Sequence, residues 1–235
     1  MIKAKFKAKT RVKEWVLENC KIEIDESFLF DVQVKRIHEY KRQLMNCLYC
    51  VYRYLRIKEM SEKERENNLV KRVTFFGGKA APGYKAAKNV IKLINLVANV
   101  INNDNDVNKY FKVVFLPDYK VSLAQIIIPA ADLSQHISTA GTEASGTSNM
   151  KFAMTGSLII GTKDGANIEI GKEIGEENIF FFGKEVNEVE RIRKDMKEGK
   201  FTKLSRCAHK TIEIILSGRF GDIGFIRDYL ANILN

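Results

Sequence analysis

The sequence predicts an α/β fold with a parallel sheet and crossover helices. Predicted strands alternate with longer predicted helices along the chain. The strand segments are short and either continuously apolar or alternate between apolar and polar residues. This alternation of strands and helices is typical of parallel sheets, whose strands are joined by helices packed on the sheet. In such sheets ligands bind beyond the carboxyl ends of the strands. Charged and turn-forming segments follow the predicted strands at residues 35–36, 77–84, 117–120 and 164–167, which supports the assignment.

The amino-terminal helix is predicted over residues 3–19. Its main apolar positions are Phe6, Val12, Trp15 and Val16. Lysine and arginine are frequent at the other positions, so the predicted helix has a basic, solvated face.

The next four elements are predicted to alternate between strand and helix. LFDVQVKR, residues 29–36, alternates apolar and polar side chains and predicts a strand. A long helix is predicted over about 40–68, and a buried strand over 72–78 that ends in a glycine pair. The helix after this turn is predicted to begin near Pro82, because proline suits the first helical position, and to run to about residue 103.

The carboxyl-terminal half predicts shorter elements. KYFKVVFLP, residues 109–117, is a predicted strand, and the short helix after it is stopped by Pro129. LSQHIS is strand-like, and another helix is expected to begin near Gly146. The remaining predicted elements are a strand at 157–165, a strand at 178–183, a charged helical region at 184–210 and a closing helix, turn and helix.

Composition limits the expected partners. The 235 residues carry a formal net charge of +10, which favours acidic partners such as phosphate groups. No nucleic-acid-binding motif or aromatic stacking platform accompanies the charge, so nucleic acid is not an expected partner. We expect no membrane partner, because no run of about 18 apolar residues and no secretory signal pattern occurs. The predicted compartment is the cytoplasm, with a plastid or similar organelle stroma as the alternative.

Two of the four cysteines form a C-x-x-C pair. Cys47 and Cys50 lie inside an apolar helical pattern, and no second pair accompanies them. We interpret them as packing residues, with metal or redox chemistry as the alternative. No metal site is predicted.

The segment GTEASGTSNMKFAMTGS, residues 141–157, combines hydroxyl and glycine residues with one lysine. A helix start near Gly146 would offer free N–H groups to an anion, and the hydroxyls of Thr147 and Ser148 add donors. Lys151 would lie one turn into this helix, where a neutral amine can attack an aldehyde. Pyridoxal 5′-phosphate has both the phosphate and the aldehyde. The alternative is a capped helix start followed by a solvated lysine.

The segment VKRIHEYKRQ, residues 34–43, concentrates positive charge at a predicted strand end. Lys35, Arg36, Lys41 and Arg42 are cations that suit two neighbouring phosphate groups. A solvated basic turn is the alternative interpretation. We interpret His38 as a structural residue.

Taken together, these segments resemble the α-glucan (glycogen or starch) phosphorylases. EASGTSNMK resembles the pyridoxal-phosphate attachment signature of that family. The resemblance runs from about residue 29 to 183, and five further motifs follow in the family's order: FDVQVKRIHEYKRQ, GGKAAPGY, FLPDYKVSLA, IPAADLSQHISTAGTEASGT and GTKDGANIE.

The resemblance implies a fold, a reaction and a cofactor. The fold is a Rossmann-like parallel sheet with helices on both faces, part of the carboxyl-terminal domain of a two-domain glycosyltransferase of the GT-B type. The reaction is phosphorolysis, in which inorganic phosphate cleaves the terminal α-1,4 bond of a glucan and releases glucose 1-phosphate. The phosphate of pyridoxal 5′-phosphate exchanges a proton with the substrate phosphate. Members are typically homodimers.

The resemblance also implies roles for individual residues. Lys151 would carry the cofactor as a Schiff base and is, with Arg36 and Lys41, a candidate catalytic residue. Arg36 and Lys41 would bind the substrate phosphate. The other implied cofactor-binding residues are Lys35, Thr147, Ser148, Tyr119 and Lys120. The implied residues for the glucosyl hydroxyls are Glu143, Ser145 and Gly146.

Three positions carry further implications. Thr155 stands where the signature usually has asparagine, and Lys120 stands where many members have arginine, which binds phosphate with different geometry. Tyr84 resembles the aromatic position of an inhibitor site in animal members.

Length is the largest departure from the family. Residues 1–235 resemble only part of the carboxyl-terminal half, so we interpret the chain as a fragment or truncated product that lacks the amino-terminal half. We expect the isolated chain to have little or no phosphorylase activity, because the opposite wall of the cleft is missing. The alternative function is a non-catalytic remnant that binds the cofactor or partner subunits. A nucleotide-sugar glycosyltransferase of the same architecture is disfavoured, since it needs no Schiff base.

Overall fold

The computed structural model describes residues 2–200 and 204–234 and places a six-stranded sheet at the centre. Every strand pairing in this sheet is parallel, in the order β3-β2-β1-β4-β5-β6. The order reverses direction between β1 and β4, where the diverging connections leave a crevice at the carboxyl ends. The strands are β1 Leu29–Val34, β2 Arg72–Gly77, β3 Phe111–Leu116, β4 Leu133–His136, β5 Leu158–Gly161 and β6 Phe180–Phe181.

Helices cover both faces of the sheet, as predicted. They are α1 Ile2–Cys20, α2 Gln43–Glu59, α3 Glu62–Asn68, α4 Lys85–Asn103, α5 Val121–Ala130, α6 Ser148–Met154, α7 Ala166–Ile174, α8 Val186–Lys197, α9 Arg206–Leu216 and α10 Arg227–Leu234. Helices α1, α5 and α6 contribute to one apolar cluster, and α2, α4, α9 and α10 to the other. The predicted α/β parallel-sheet fold is confirmed. None of the helices in the described residues is long and apolar enough to cross a membrane.

Helix α1 agrees with its predicted bounds but not with every predicted contact. Val12 and Val16 are buried, whereas Phe6, another of the predicted main apolar positions, is 51% exposed and does not belong to the core. Lys9 is buried in the same helix because its amine donates to the Phe28 carbonyl (2.7 Å) and pairs with Asp132 (2.6 Å). The apolar pattern of the helix does not predict burial at Lys9, because a lysine is buried only when other elements supply its partners.

The single long helix predicted over 40–68 is wrong. A short 3₁₀ turn at Glu39–Lys41 comes first, and Arg42 in the left-handed conformation separates it from α2. Helix α2 ends at Glu59, and α3 begins after Ser61, which forms a capping box with Glu64. The Ser-x-x-Glu start signal interrupts a run of residues that all favour helix.

Several other predicted bounds also differ. Pro82 lies in a turn, and α4 begins three residues later at Lys85. The last strand is limited to Phe180–Phe181 because only these residues pair with β5. The region 184–210 is not one helix: α8 ends at Lys197 and α9 begins at Arg206, while residues 201–203 lie outside the described residues. The charged residues of this region favour helix at each position, but they give little information about where one helix ends and the next begins.

The C-x-x-C pair is packed inside α2. Cys47 and Cys50 are almost completely buried in the apolar cluster of the α2 face. Burial raises the pKa of the Cys47 thiol to about 12 and that of Cys50 well above its ordinary value. Both thiols are therefore protonated at neutral pH and pack as small apolar groups.

Candidate active site

A cavity of about 450 Å³ lies at the carboxyl ends of the strands, around the point where the strand order reverses. Residues after β1 and β4 form its floor, since Lys35 follows β1 and His136 ends β4. Loops after β2 and β3 contribute Gly78 and Tyr119 to one wall. The loop from Glu143 and the first turns of α6 contribute the opposite wall.

Arg42, the fourth cation of the basic segment, does not line this cavity and donates to the Ser138 carbonyl at 3.3 Å. All of the site residues that the family resemblance implies do line it. They are Lys35, Arg36, Lys41, Tyr119, Lys120, Glu143, Ser145, Gly146, Thr147, Ser148 and Lys151. The chain order separates them by more than a hundred positions, and the parallel sheet brings them to one edge. The structure confirms that they lie together, while their roles stay predictions.

Lys151 lies three residues into α6, and its exposed side chain faces this shared cavity. The helix begins at Ser148 rather than near Gly146, with Thr147 at the capping position. Gly146 has a positive φ of 82°, so the chain turns there before the helix starts. The hydroxyl residues and the lysine therefore share one side of the cavity.

Lys41 and Glu143 form an ion pair across the cavity. The Ser138 hydroxyl also donates to the Glu143 carboxylate, at 3.2 Å. Burial lowers the pKa of Lys41, but its hydrogen bond to Glu143 opposes this effect, and the net pKa is raised. The cation predicted to bind phosphate and the carboxylate predicted to bind sugar hydroxyls are thus held by each other.

Among the lysines that line the cavity, Lys35 has the pKa that burial lowers most clearly. Burial, reinforced by the positive charge of Lys41, lowers the pKa of Lys35 to about 8, while Glu143 acts in the opposite direction. An anion placed against this amine would favour its charged form, so ligand binding and proton uptake are coupled at Lys35.

Asp164 supports the loop that carries Glu143, a role the sequence analysis missed. The Asp164 carboxylate accepts hydrogen bonds from the backbone N–H groups of Gly141 (3.0 Å), Thr142 (3.3 Å) and Glu143 (2.9 Å). The sequence places Asp164 in a turn-forming segment after a predicted strand, at the end where ligands bind, but no local pattern indicates its hydrogen bonds to the loop.

Asn167 connects the first turn of α6 to the ends of β4 and β5. Its side-chain N–H groups donate to the carbonyls of His136 and Thr162, each at 3.1 Å. Its Oδ1 accepts from the Asn149 side chain at 2.9 Å, which ties α7 to the first turn of α6. These buried amides hold α6 against the ends of β4 and β5.

We expect Asp164→Asn to lower the free energy of unfolding by about 1–3 kcal/mol, because an amide cannot accept three backbone N–H groups as a carboxylate does. The measurement is urea unfolding followed by circular dichroism. Asp222→Asn is the matched control, since Asp222 is exposed and accepts a single backbone hydrogen bond, from Gly224. Equal effects of the two substitutions would contradict the anchoring role of Asp164.

The positions that depart from the family pattern have ordinary structural partners. Lys120 is exposed and pairs with Asp118 at 2.7 Å. Thr155 ends α6, and its hydroxyl donates to the carbonyls of Lys151 (3.1 Å) and Phe152 (3.0 Å). Thr155 thus satisfies carbonyl groups at the end of the helix that carries Lys151.

Tyr84 and His38 contact each other beside the basic segment and are not among the residues that line the cavity. The Tyr84 hydroxyl donates to Glu39 at 2.6 Å, and its ring packs against His38 with 5.0 Å between centroids. The Nδ1 atom of His38 accepts from the Tyr40 backbone N–H and caps the 3₁₀ turn. The structural interpretation of His38 is supported.

Comparisons with known proteins agree with this arrangement. A family model described as carbohydrate phosphorylase matches residues 1–234. The chain is 52% identical to an α-glucan phosphorylase, H isozyme, of Triticum aestivum over 93% of this chain and 26% of that protein. It is 53% identical to glycogen phosphorylase 2 of Dictyostelium discoideum over 96% of this chain and 22% of that protein.

A third relative is α-glucan phosphorylase 2, cytosolic, of Arabidopsis thaliana, with 51% identity over 97% of this chain and 27% of that protein. The chain spans about a quarter of the length of the curated relatives it matches. A family match over residues 1–234, with half of the aligned positions identical in each relative, shows that this chain belongs to the carbohydrate phosphorylase family.

Proposed function

We propose that the chain supplies the cofactor-binding and phosphate-binding side of an α-glucan phosphorylase active site. The complete enzyme would use inorganic phosphate to cleave terminal α-1,4 bonds of a glucan and release glucose 1-phosphate. The observation that carries the proposal is the cavity at the reversal of the strand order, which all of the site residues implied by the family resemblance line. The names of the relatives, which are α-glucan and glycogen phosphorylases, agree with it.

The residues of the cavity fit pyridoxal 5′-phosphate. A volume of about 450 Å³ suits a small cofactor, and both an exposed amine (Lys151) and a half-buried amine (Lys35) line it. Lys151 would bind the aldehyde covalently, while Lys35, Thr147 and Ser148 would hold the phosphate. When bound, the cofactor would supply a phosphate group that can exchange a proton with the substrate phosphate.

Arg36 and Lys41 would bind the substrate phosphate. Arg36 is exposed at the cavity and has the forked donors that suit phosphate, whereas Lys41 is engaged with Glu143 in this structure. An arriving phosphate would share the Lys41 amine or take it from Glu143. The freed carboxylate, together with Ser145 and the backbone at Gly146, would then accept and donate to glucosyl hydroxyls. The charge pair therefore couples the two binding steps.

The remaining partners follow from the family resemblance. We propose that these residues form part of the carboxyl-terminal domain of a two-domain enzyme, which would act on glucan as a homodimer. The cytoplasm is the proposed compartment, in agreement with the name of the cytosolic relative from Arabidopsis thaliana, and a plastid is the alternative. Tyr119, at the cavity wall, would lie near the pyridine ring of the cofactor, and Lys120 is a further proposed cofactor-binding residue.

Covalent trapping tests the proposal. The purified chain is incubated with pyridoxal 5′-phosphate and reduced with borohydride, and the adduct is located by peptide mass spectrometry. Condensation of the amine with the aldehyde releases water, and hydride then reduces the resulting carbon–nitrogen double bond. We expect one adduct on Lys151, because this amine lines the same cavity as the half-buried Lys35 amine that would hold the phosphate.

Two variants make the trapping experiment decisive. Lys151→Ala should abolish the adduct, whereas Lys172→Ala, which removes an exposed lysine of α7, should leave it unchanged. Scattered modification of many lysines, equal in all three proteins, would refute the proposed site. Glucose 1-phosphate release from a purified glucan, measured with the chain alone, separates cofactor binding from turnover.

A further inference from the structure

His136 is a buried histidine at the cavity that has no role in the site described above. It ends β4 beside β1, at the reversal of the strand order, and only 6% of its surface is exposed. Its Nδ1 atom lies 3.3 Å from the Nζ atom of Lys35, a residue 101 positions earlier in the chain. The two side chains therefore meet directly across the paired ends of β1 and β4.

The chemistry of the two groups fixes the direction of this hydrogen bond. The charged form of Lys35 has donors only, so in that form Nδ1 of His136 accepts and the ring proton is on Nε2. Burial, together with the charges of Lys35 and Lys41, holds the pKa of His136 well below its ordinary value. The ring is thus neutral at neutral pH, and its acceptor remains available to Lys35.

The His136 ring is held from its other sides as well. It packs against the buried ring of Phe152, next to Lys151 in α6, with 5.6 Å between centroids and an angle of 64°. Its backbone carbonyl accepts from the Asn167 side chain at 3.1 Å. Within the described residues, Nε2 is buried and has no hydrogen-bond partner. A buried donor without a partner costs stability, so packing alone does not explain a histidine here.

We propose that His136 is a positioning residue, which accepts a hydrogen bond from Lys35 and holds the Lys35 amine where it meets a phosphate group in the cavity. The inference rests on the proposed function for the phosphate-binding role of Lys35. In addition, Nδ1 of His136, at the end of β4, would fix the position of the Lys35 amine, directly after β1. Leucine at position 136 would keep most of the volume but leave the amine free to turn away.

The first test follows the Lys35 amine in the full chain by nuclear magnetic resonance of lysine Nζ, with Lys35→Arg to assign the signal. In His136→Leu the pKa of Lys35 should fall, because a hydrogen bond to its charged form is lost. In His136→Asn it should remain near the native value, since the asparagine oxygen can occupy the place of Nδ1. Equal Lys35 titration in native chain and leucine variant would overturn the inference.

The second test measures binding of pyridoxine 5′-phosphate, which has the phosphate but no aldehyde. We expect His136→Leu to weaken binding about tenfold or more, the loss expected for one hydrogen bond to a charged group, and His136→Asn to restore most of it. Equal losses in the two variants would point to a packing role and contradict the proposal. If the native chain does not bind this probe, the proposed function fails, while the Lys35 titration still decides the role of His136.

A third measurement needs no folded variant at position 136. The ¹⁵N shifts of the native His136 ring should show the tautomer with its proton on Nε2, and in Lys35→Met the ring pKa should rise because a neighbouring cation is removed. A native ring that carries its proton on Nδ1 would contradict the hydrogen bond from Lys35. This readout keeps the inference testable even if His136→Leu does not fold.

Discussion

Replacing Arg72 by methionine is expected to lower the free energy of unfolding by about 3–5 kcal/mol, because it leaves a buried carboxylate without its charge partner. Asp31, in the middle of β1, is completely buried. Its carboxylate accepts from the Arg72 guanidinium at 3.2 Å and from the Gln135 side chain at 2.9 Å. Without Arg72, the neutral Gln135 amide would remain as hydrogen-bond donor, and Arg53 would act on the carboxylate only through its charge.

The loss of stability in Arg72→Met should become smaller as the pH is lowered. Burial raises the pKa of Asp31, and the charge of Arg72 opposes this rise, so the pKa should be higher still in Arg72→Met. A carboxyl whose pKa is raised on folding lowers stability at pH values above that pKa and has no such effect below its unfolded value. The destabilisation should therefore shrink as the pH is lowered toward the ordinary carboxyl value of 3.8.

Urea unfolding of single and double variants provides the measurement. Arg56→Met is the matched control, because Arg56 forms an exposed pair with Glu59 and should change stability by less than about 1 kcal/mol. Asp31→Asn combined with Arg72→Met should be less destabilised than Arg72→Met alone, since no unpaired charge remains. A loss in Arg72→Met no larger than in Arg56→Met would show that Asp31 needs no charge partner.

Gly78→Ala is expected to have a comparable effect and to act directly on the site. A Cβ atom at Gly78 would lie 1.9 Å from the Lys35 carbonyl oxygen, so the backbone beside Lys35 would have to move. Gly78 also has a φ of 154°, which side-chain-bearing residues rarely adopt. We expect a loss of about 3 kcal/mol or more in stability, together with weaker phosphate binding, because Lys35 and Arg36 would be displaced.

Gly83→Ala is the control for this glycine. Gly83 lies in the exposed turn before α4, and a Cβ atom there would meet no atom within 4 Å. Unfolding in urea and binding of pyridoxine 5′-phosphate are measured for both variants. If Gly78→Ala were as stable as Gly83→Ala and bound the probe as tightly, the close approach of the two backbones after β1 and β2 would be unimportant for the site.

Local signals in the sequence were sufficient to predict the fold class and the order of the strands along the chain. Strand residues 72–77 and 111–116 have the continuous apolar character of strands buried on both faces, and α4 has a strong helical apolar period. The break in the predicted helix at 40–68 was missed, because it depends on one capping box at Ser61 within a helix-favouring run. Helix ends depend on few residues, so they are harder to predict than helix interiors.

Strand β1 shows why alternation alone is an incomplete guide to burial. Phe30, Val32 and Val34 pack into the apolar cluster that includes α1 and α5, as an alternating strand predicts. Asp31 and Gln33 on the other side are also fully buried, where Arg72, Gln135 and the Asn46 side chain satisfy them. A buried polar face requires partners from other elements, which a local pattern does not contain.

The sequence by itself indicated many of the residues that gather at the site, because several of their motifs follow predicted strands whose carboxyl ends share one edge of a parallel sheet, and the family resemblance implied the others. Only the tertiary structure decided which groups touch. The pairs Lys35 with His136 and Lys41 with Glu143 join residues about a hundred positions apart, and Asp164 holds a loop 21 positions away. Such contacts, and the pKa values they shift, depend on burial and on distances of a few ångströms, which no local pattern specifies.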